Sequence, residues 1–127
     1  MTPGEARLNL AAALGDIEGA SVHPGLPDRF TPPALVVEPA DPWIDTTNES
    51  TPNTAAFRFK VRVIAGVGTP AGAESALDIL LAATITALLD SPSQWSVETV
   101  SAPGVVTIGE AGFLSADITV SAPFPLA

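Results

Sequence analysis

The stretch from which the fold follows is Phe57-Arg58-Phe59-Lys60-Val61-Arg62-Val63. Successive side chains of a β-strand point to opposite faces, so this segment places four apolar side chains on one face and three cations on the other. One-sided alternation of this kind is typical of an antiparallel sheet that packs one face against a core. The sequence therefore predicts a strand over residues 57–63, with a core on one side and a charged surface on the other.

A helix is predicted near the N-terminus, over residues 3–14. Thr2 provides an N-cap, Pro3 suits the first helical position, and Glu5 follows the cap by three residues, as in a capping box. Gly15 ends this helix, because glycine is favoured just after a helix C-terminus.

A second, longer helix is predicted to begin at Thr69-Pro70 and to end near Leu89. Five of its apolar side chains recur at helical spacing and form one stripe, which we predict to lie in the core: Leu77, Leu80, Leu81, Ile85 and Leu88. No residue from Ile79 to Leu89 is charged, so we expect this half of the helix to be covered on more than one side.

Five further strands are predicted from short apolar or alternating runs bounded by proline and glycine. In chain order they are Ala20–His23, Ala34–Glu38, Trp95–Val100, Val105–Ile108 and Phe113–Val120. A four-residue turn, Gly109–Gly112, joins the last two. The resulting order, α-β-β-β-α-β-β-β, predicts a two-layer α+β fold: a mostly antiparallel sheet with two helices packed on one face, as a single domain over residues 1–127.

The segment Asp41–Thr54 is predicted to lie in a long loop that covers about residues 40–54. It is polar and has neither helical nor strand periodicity. Loops of this length are uncommon in compact domains and are usually either functional or disordered. We therefore take the residues at its start as candidates for a subunit or partner interface: Asp41, Trp43, Ile44 and Asp45.

Composition and charge exclude several classes of function. The 127 residues include 14 Asp or Glu against 5 Lys or Arg, and the formal net charge of −9 opposes binding to nucleic-acid phosphates and to anionic membrane surfaces. We find no apolar stretch that approaches the roughly 20 residues of a membrane span, and the N-terminal residues lack the basic character of a signal peptide. The absence of cysteine excludes disulfides, thiolate catalysis and cysteine-ligated zinc.

Residues suited to catalysis or metal binding are sparse. His23 is the sole histidine and has no second histidine with which to form a metal pair. No serine lies in a Gly-x-Ser-x-Gly turn, and the glycines match no phosphate-binding pattern. Asp41, Asp45 and Glu49 recur every four residues but lack the glycine and the odd-position spacing of a calcium loop. We expect no enzymatic activity, no metal site and no cofactor.

Arg58, Lys60 and Arg62 form a candidate interaction site. These three of the five cations lie within about 14 Å on one strand face, at about 3.4 Å per residue. Two interpretations remain open: a solvated sheet face, which is ordinary, or an acceptor for an acidic surface on another subunit. Under the second interpretation, reversal of all three charges is expected to block assembly without unfolding the chain.

A proline-rich pattern between the first helix and the alternating strand resembles a known family. The residues that carry it are Val22-His23-Pro24, Pro27 and the run Pro32-Pro33-Ala34-Leu35-Val36-Val37-Glu38-Pro39-Ala40-Asp41-Pro42-Trp43, followed by the strand Phe57–Val63, Ala65-Gly66 and a Leu/Ala-rich helix. This order is similar to that of small tail proteins of long-tailed phages that infect actinobacteria. The greatest similarity is to the tail terminator family, also called tail completion proteins.

The resemblance implies an α+β fold and a sixfold ring of identical subunits on the last ring of the tail tube. The implied partners are the chain itself, the major tail tube protein and the head connector. The resemblance also implies a siphovirus virion protein at the head–tail interface, assembled in the host cytoplasm, and it transfers no catalytic residue. Stopper and adaptor proteins of the same connection remain alternatives, as does a free-standing ligand-binding domain that uses Trp43, Trp95 and Phe113 in a pocket.

Overall fold

The computed structural model describes residues 1–15, 17, 19–25, 31–46, 53–66, 70–90, 95–109 and 111–126. Within these residues the chain forms two helices and a six-stranded sheet. The elements are α1 (Pro3–Leu14), β1 (Ser21–His23), β2 (Ala34–Asp45), β3 (Thr54–Ile64), α2 (Pro70–Asp90), β4 (Ser96–Val100), β5 (Gly104–Ile108) and β6 (Ala111–Pro125). Their order and the α+β class confirm the fold predicted from the sequence.

Strands β3 and β6, which pair with each other over eleven residues, form the middle of the sheet. The strand order is β1-β2-β3-β6-β4, and β5 also pairs with β6. Because β3 occupies one edge of β6 along its length, β5 and β4 follow each other along the opposite edge. Only β1 and β2 run parallel among the described strands, so the sheet is mostly antiparallel.

Helix α1 begins with the capping box that the sequence predicts. The Thr2 hydroxyl accepts a hydrogen bond from the Glu5 backbone N–H, and the Glu5 carboxylate accepts one from the Thr2 backbone N–H, both at 3.2 Å. The helix ends at Leu14, and Gly15 follows with a positive φ of 60°, a conformation that favours glycine. These local signals fix both ends of the helix.

The core lies between the two helices and one face of the sheet. The apolar side chains of β3 that alternate along this face are fully buried: Phe57, Phe59, Val61 and Val63. Buried residues of both helices pack in the same cluster: Ala6, Leu10 and Leu14 of α1, and Leu77, Leu80 and Leu88 of α2. We call this side of the sheet the helix face, and the side that carries Arg58, Lys60 and Arg62 the charged face.

The predicted core stripe of α2 is correct for three of its five members. Leu77, Leu80 and Leu88 are buried, whereas Leu81 and Ile85 are partly buried at the margin of the core. Thr84 is fully buried in the same line of the helix, and its hydroxyl donates a hydrogen bond to the Leu80 carbonyl at 2.7 Å. This internal hydrogen bond allows a threonine to occupy a core position, so the buried line of the helix runs through Thr84 while Leu81 and Ile85 lie beside it.

The long loop predicted over residues 40–54 is mostly strand in its described part. Strand β2 continues to Asp45, with an irregular register between Pro39 and Ile44, and β3 begins at Thr54. The prediction fails because pairing with β3 stabilises a polar, proline-containing segment that has no strand signal of its own. Residues 47–52 lie outside the described residues.

The turn between β5 and β6 is also tighter than predicted. Ala111 and Gly112 belong to β6, where they pair with Ile108 and Thr107 of β5. Gly109 has a positive φ of 65°, which suits a short hairpin connection. Of the predicted turn Gly109–Gly112, only Gly109 lies outside the strands among the described residues.

We predict that Leu77→Ala lowers the free energy of unfolding by about 2–5 kcal/mol, because it leaves a cavity in the fully buried core. The matched control is Ile79→Ala on the same helix, where the side chain is 68% exposed and the expected change is within about 0.5 kcal/mol. Urea denaturation monitored by circular dichroism gives both values. Equal losses in the two variants would contradict the assignment of Leu77 to the core.

Candidate functional site

The charged face of the sheet is organised around Arg58. Its guanidinium donates two hydrogen bonds to the Glu98 carboxylate, each at 3.1 Å, and a third to the Pro42 carbonyl at 2.8 Å. Glu98 lies in β4 between the two registers in which that strand pairs with β6. Arg58 therefore reaches across β6 to β4 and, in the other direction, to β2, and its hydrogen bonds join strands β2, β3 and β4.

Lys60 and Arg62 contact two carboxylates on the neighbouring strands. Lys60 lies 3.7 Å from the Glu38 carboxylate and 4.0 Å from that of Asp117, while Arg62 lies 3.4 and 3.3 Å from the same two groups. Glu38 is directly opposite Lys60 in β2, and Asp117 is directly opposite Arg62 in β6. Three cations thus face three carboxylates, and the network formed by these six residues is formally neutral.

This pairing bears on the two interpretations of the cationic stripe, a solvated sheet face or an acceptor for an acidic surface on another subunit. Each member of the cationic stripe has an acidic partner within its own chain, so the stripe does not present uncompensated positive charge to another subunit. That reversal of Arg58, Lys60 and Arg62 leaves the chain folded stays a prediction, but the reversal also removes ion pairs within the chain, because all three side chains are paired across the sheet. Sequence reasoning missed the acidic partners because strand register, which brings Glu38 and Asp117 beside the cations, is a property of the folded sheet.

The Arg58–Glu98 pair shifts the ionisation of both groups. The hydrogen bond from Arg58 is the largest cause of a lowered pKa for Glu98, and a hydrogen bond from Ser121 adds to it against the opposing effect of partial burial. The hydrogen bond to Glu98 likewise raises the pKa of Arg58. Both shifts favour the charged pair.

The interface candidates in β2 lie beside this network. Asp41 and Trp43 are exposed, whereas Ile44 and Asp45 are partly buried. Ile44 packs against the core, and the Trp43 ring meets the Phe59 ring edge-on at a centroid distance of 6.4 Å. Asp41 and Trp43 flank Pro42, whose carbonyl accepts a hydrogen bond from Arg58. The interface candidates of β2 and the cationic stripe of β3 are therefore in contact at Pro42.

The three aromatic residues of the ligand-binding alternative do not form a pocket. Trp95 is 4% exposed, packs between Phe59 and Phe124, and donates a hydrogen bond from its indole N–H to the Asn9 side chain at 2.8 Å. Phe113 lies in a separate small cluster with Val36 and Ile64 on the charged face. Trp43 and Trp95 both contact Phe59, but they serve as packing residues rather than as the walls of a cavity.

An uncovered surface is present on α2 instead. Its open face, opposite the core, consists of Ser75, Ile79, Ala82, Thr86 and Leu89, all exposed, with Ile79 at 68% and Leu89 at 69%. An open groove of about 1010 Å³ runs beside this face, between α2 and the end of α1. Its described lining has no charged residue and includes Ala13, Gly15, Ile79 and Ala83.

The expectation that this half of α2 is covered on more than one side fails within the chain. The core covers one side, and the open face is bare. The sequence does predict an apolar surface here, since the run from Ile79 to Leu89 has no charge. Composition alone does not say what covers that surface.

Helix α2 also corrects the expectation about membrane spans. The segment Ala71–Asp90 has a mean hydropathy of 1.5 and is long and apolar enough to cross a membrane by length and composition. In this structure Leu77 and Leu88 of the same helix are buried against the sheet. The helix is therefore a packed element of the domain with one apolar face left open.

Side chains suited to metal binding are not brought together in the described part of the chain. Among those residues no three His, Cys, Asp or Glu side chains lie close enough to hold a metal ion. His23 has its Nε2 atom 3.0 Å from the Ser21 hydroxyl, two residues away on the short strand β1. Comparison with protein families and with curated proteins finds no match for this chain.

We predict that Glu98→Gln lowers the free energy of unfolding at pH 7 by about 0.2–1 kcal/mol, because it removes a partly exposed ion pair. Since the folded state lowers the pKa of Glu98, this stabilisation is present above the ordinary glutamate pKa of about 4.3 and is lost as the pH falls through the lowered value. The measurement is urea denaturation of both proteins between neutral and acidic pH. A difference that persists unchanged in acid would contradict the ion pair as its cause.

The matched control for this variant is Glu74→Gln. Glu74 is an exposed carboxylate on α2 that forms no ion pair with a described residue, so the substitution makes the same change in net charge without breaking a pair.

We predict that the triple change Arg58→Glu, Lys60→Glu and Arg62→Glu destabilises the isolated chain by about 2 kcal/mol or more, because it places like charges opposite each other on adjacent strands. The corresponding triple change to Gln removes the ion pairs without adding repulsion and is expected to cost less. Thermal unfolding of the two variants separates these effects. Wild-type stability in the Glu variant would show that the network contributes nothing to the fold.

Proposed function

We propose that this protein is a structural subunit of a phage virion, a tail-terminator-type protein that forms a ring on the end of the tail tube and joins it to the head connector. The observation that carries the proposal is the open, uncharged face of α2 with the groove beside it. In monomeric soluble proteins large apolar patches are rare, and where they occur they mark surfaces that other molecules cover.

The fold and the charge distribution support the same proposal. The α+β class of the fold is the one that the resemblance to tail terminators implies. A subunit of a cyclic ring contacts its neighbours through two different surfaces, and it needs a further surface for each additional partner. Besides α2, the isolated chain leaves Val105 of the edge strand β5 75% exposed, so this strand offers a second exposed apolar side chain for such contacts.

A structural role also fits the chemistry of the charged face. Its carboxylates and cations neutralise each other in a network that spans four strands, so these side chains are engaged in pairing within the sheet. The proposal accordingly assigns no catalytic residue and no cofactor.

The test is assembly with tail tubes. We expect the purified protein to form closed rings, alone or at the ends of tubes built from the major tail protein, with a mass near six times the 12.9 kDa chain. Light scattering gives the mass, and negative-stain electron microscopy shows whether rings are present and where they bind.

The outcomes separate the alternatives. A chain that stays monomeric at every concentration and does not bind tube ends would refute the proposal. Binding to the head connector but not to the tube would instead identify a stopper or adaptor protein.

A further inference from the structure

The open face of α2 has the spacing of a helix-packing surface. Its members Ser75, Ile79, Ala82, Thr86 and Leu89 follow one another by four, three, four and three residues, which keeps them in one line along the helix. Small side chains in the middle of this line allow another helix to approach closely, and the two large side chains provide apolar contacts on either side of Ala82. The line is exposed along its full length.

Acidic residues border this face, and α2 contains no cation. Glu74, Asp78 and Asp90 are exposed, and none of them forms an ion pair with a described residue. A partner that covers the open face therefore meets an apolar line beside uncompensated negative charge. Lysine or arginine beside the partner's own apolar residues would complement this arrangement.

A second copy of this chain does not offer those cations from its described residues. Arg58, Lys60 and Arg62 are paired within the chain, and the guanidinium of Arg7, which is partly buried, lies 6.0 Å from the centre of the Phe59 ring. An anionic membrane is also a poor occupant, because the bordering carboxylates would face anionic headgroups. Charge complementarity thus favours a different protein.

We propose that the open face of α2 binds an amphipathic helix of a partner protein whose apolar stripe is bordered by lysine or arginine. The inference rests on the proposed function in one respect: both concern the open face of α2, and the inference specifies the chemistry of the partner that covers it. The inference assigns the open face of α2 to contact with a different protein, so the contacts between identical subunits of the ring are made by other parts of the molecule.

The experiment uses two synthetic helical peptides of about five turns that share one Leu/Ala stripe. One peptide carries lysine on both sides of the stripe, and the other carries glutamate at the same positions. Fluorescence anisotropy of the labelled peptides with the full chain is expected to give at least about tenfold tighter binding for the lysine peptide, and this preference is expected to shrink as salt is added. Equal binding of the two peptides, or binding of neither, would overturn the proposal.

Variants of the chain locate the binding surface. We expect Ile79→Glu to abolish binding of the lysine peptide, while the matched control Leu8→Glu, at an exposed leucine of α1, leaves it unchanged. Combined Glu74→Lys and Asp78→Lys is expected to reverse the preference in favour of the glutamate peptide. Loss of binding in the Leu8 variant, or an unchanged preference in the double variant, would refute the assignment to this face. Circular dichroism checks that each variant is folded.

The same variants distinguish this inference from the proposed function. Rings that form normally in a chain that binds neither peptide would refute the inference alone. Binding of the lysine peptide by a chain that never forms rings would refute the ring and leave the inference standing. If Ile79→Glu dissociates the rings and the chain binds neither peptide, the occupant of the open face is a second copy of the chain. If the chain binds vesicles of anionic lipid through α2, the occupant is a membrane. Either result overturns the proposal.

Discussion

Eleven residues of β3 pair with β6 in an antiparallel register that runs from Thr54 opposite Pro125 to Ile64 opposite Ser115. Because side chains alternate along paired strands, this single register decides what lies on each side of the sheet. It places the apolar side chains of β3 under the two helices and, on the other side, brings Asp117 opposite Arg62. A shift by one residue would exchange the two faces, so the core and the ion pairs depend on the same pairing.

The distribution of charge follows from this arrangement. Most of the chain's positive charge is used within the sheet, where it balances the carboxylates of neighbouring strands. The remaining charge of the chain is almost entirely acidic, and on α2 it lies beside the apolar open face. The molecule therefore combines a neutral, internally bonded sheet surface with a helix surface that is apolar and negatively bordered. These two surfaces are suited to different contacts.

Much of the fold is predictable from the sequence because its signals are local. The ends of α1 follow from the Thr2 cap, Pro3 and Gly15, and β3 follows from strict alternation. The second half of β2 is not predictable in this way, since its strand conformation comes from pairing with β3 across an irregular register. The ion pairs depend on the same long-range information. For α2 the sequence reveals an uncharged segment, but which of its sides meets the core is decided by packing.

The two tryptophans lie in contrasting surroundings, and the chain contains no tyrosine. Trp95 is enclosed by Phe59 and Phe124 beneath α1, whereas Trp43 is more than a third exposed at the margin of β2, next to the carbonyl that Arg58 holds. Intrinsic fluorescence of this protein is therefore the sum of a shielded emitter in the core and a solvent-accessible one beside the charged face. A soluble quencher acts on the second selectively, so the native chain carries its own optical probe of whatever comes to cover that edge of the sheet.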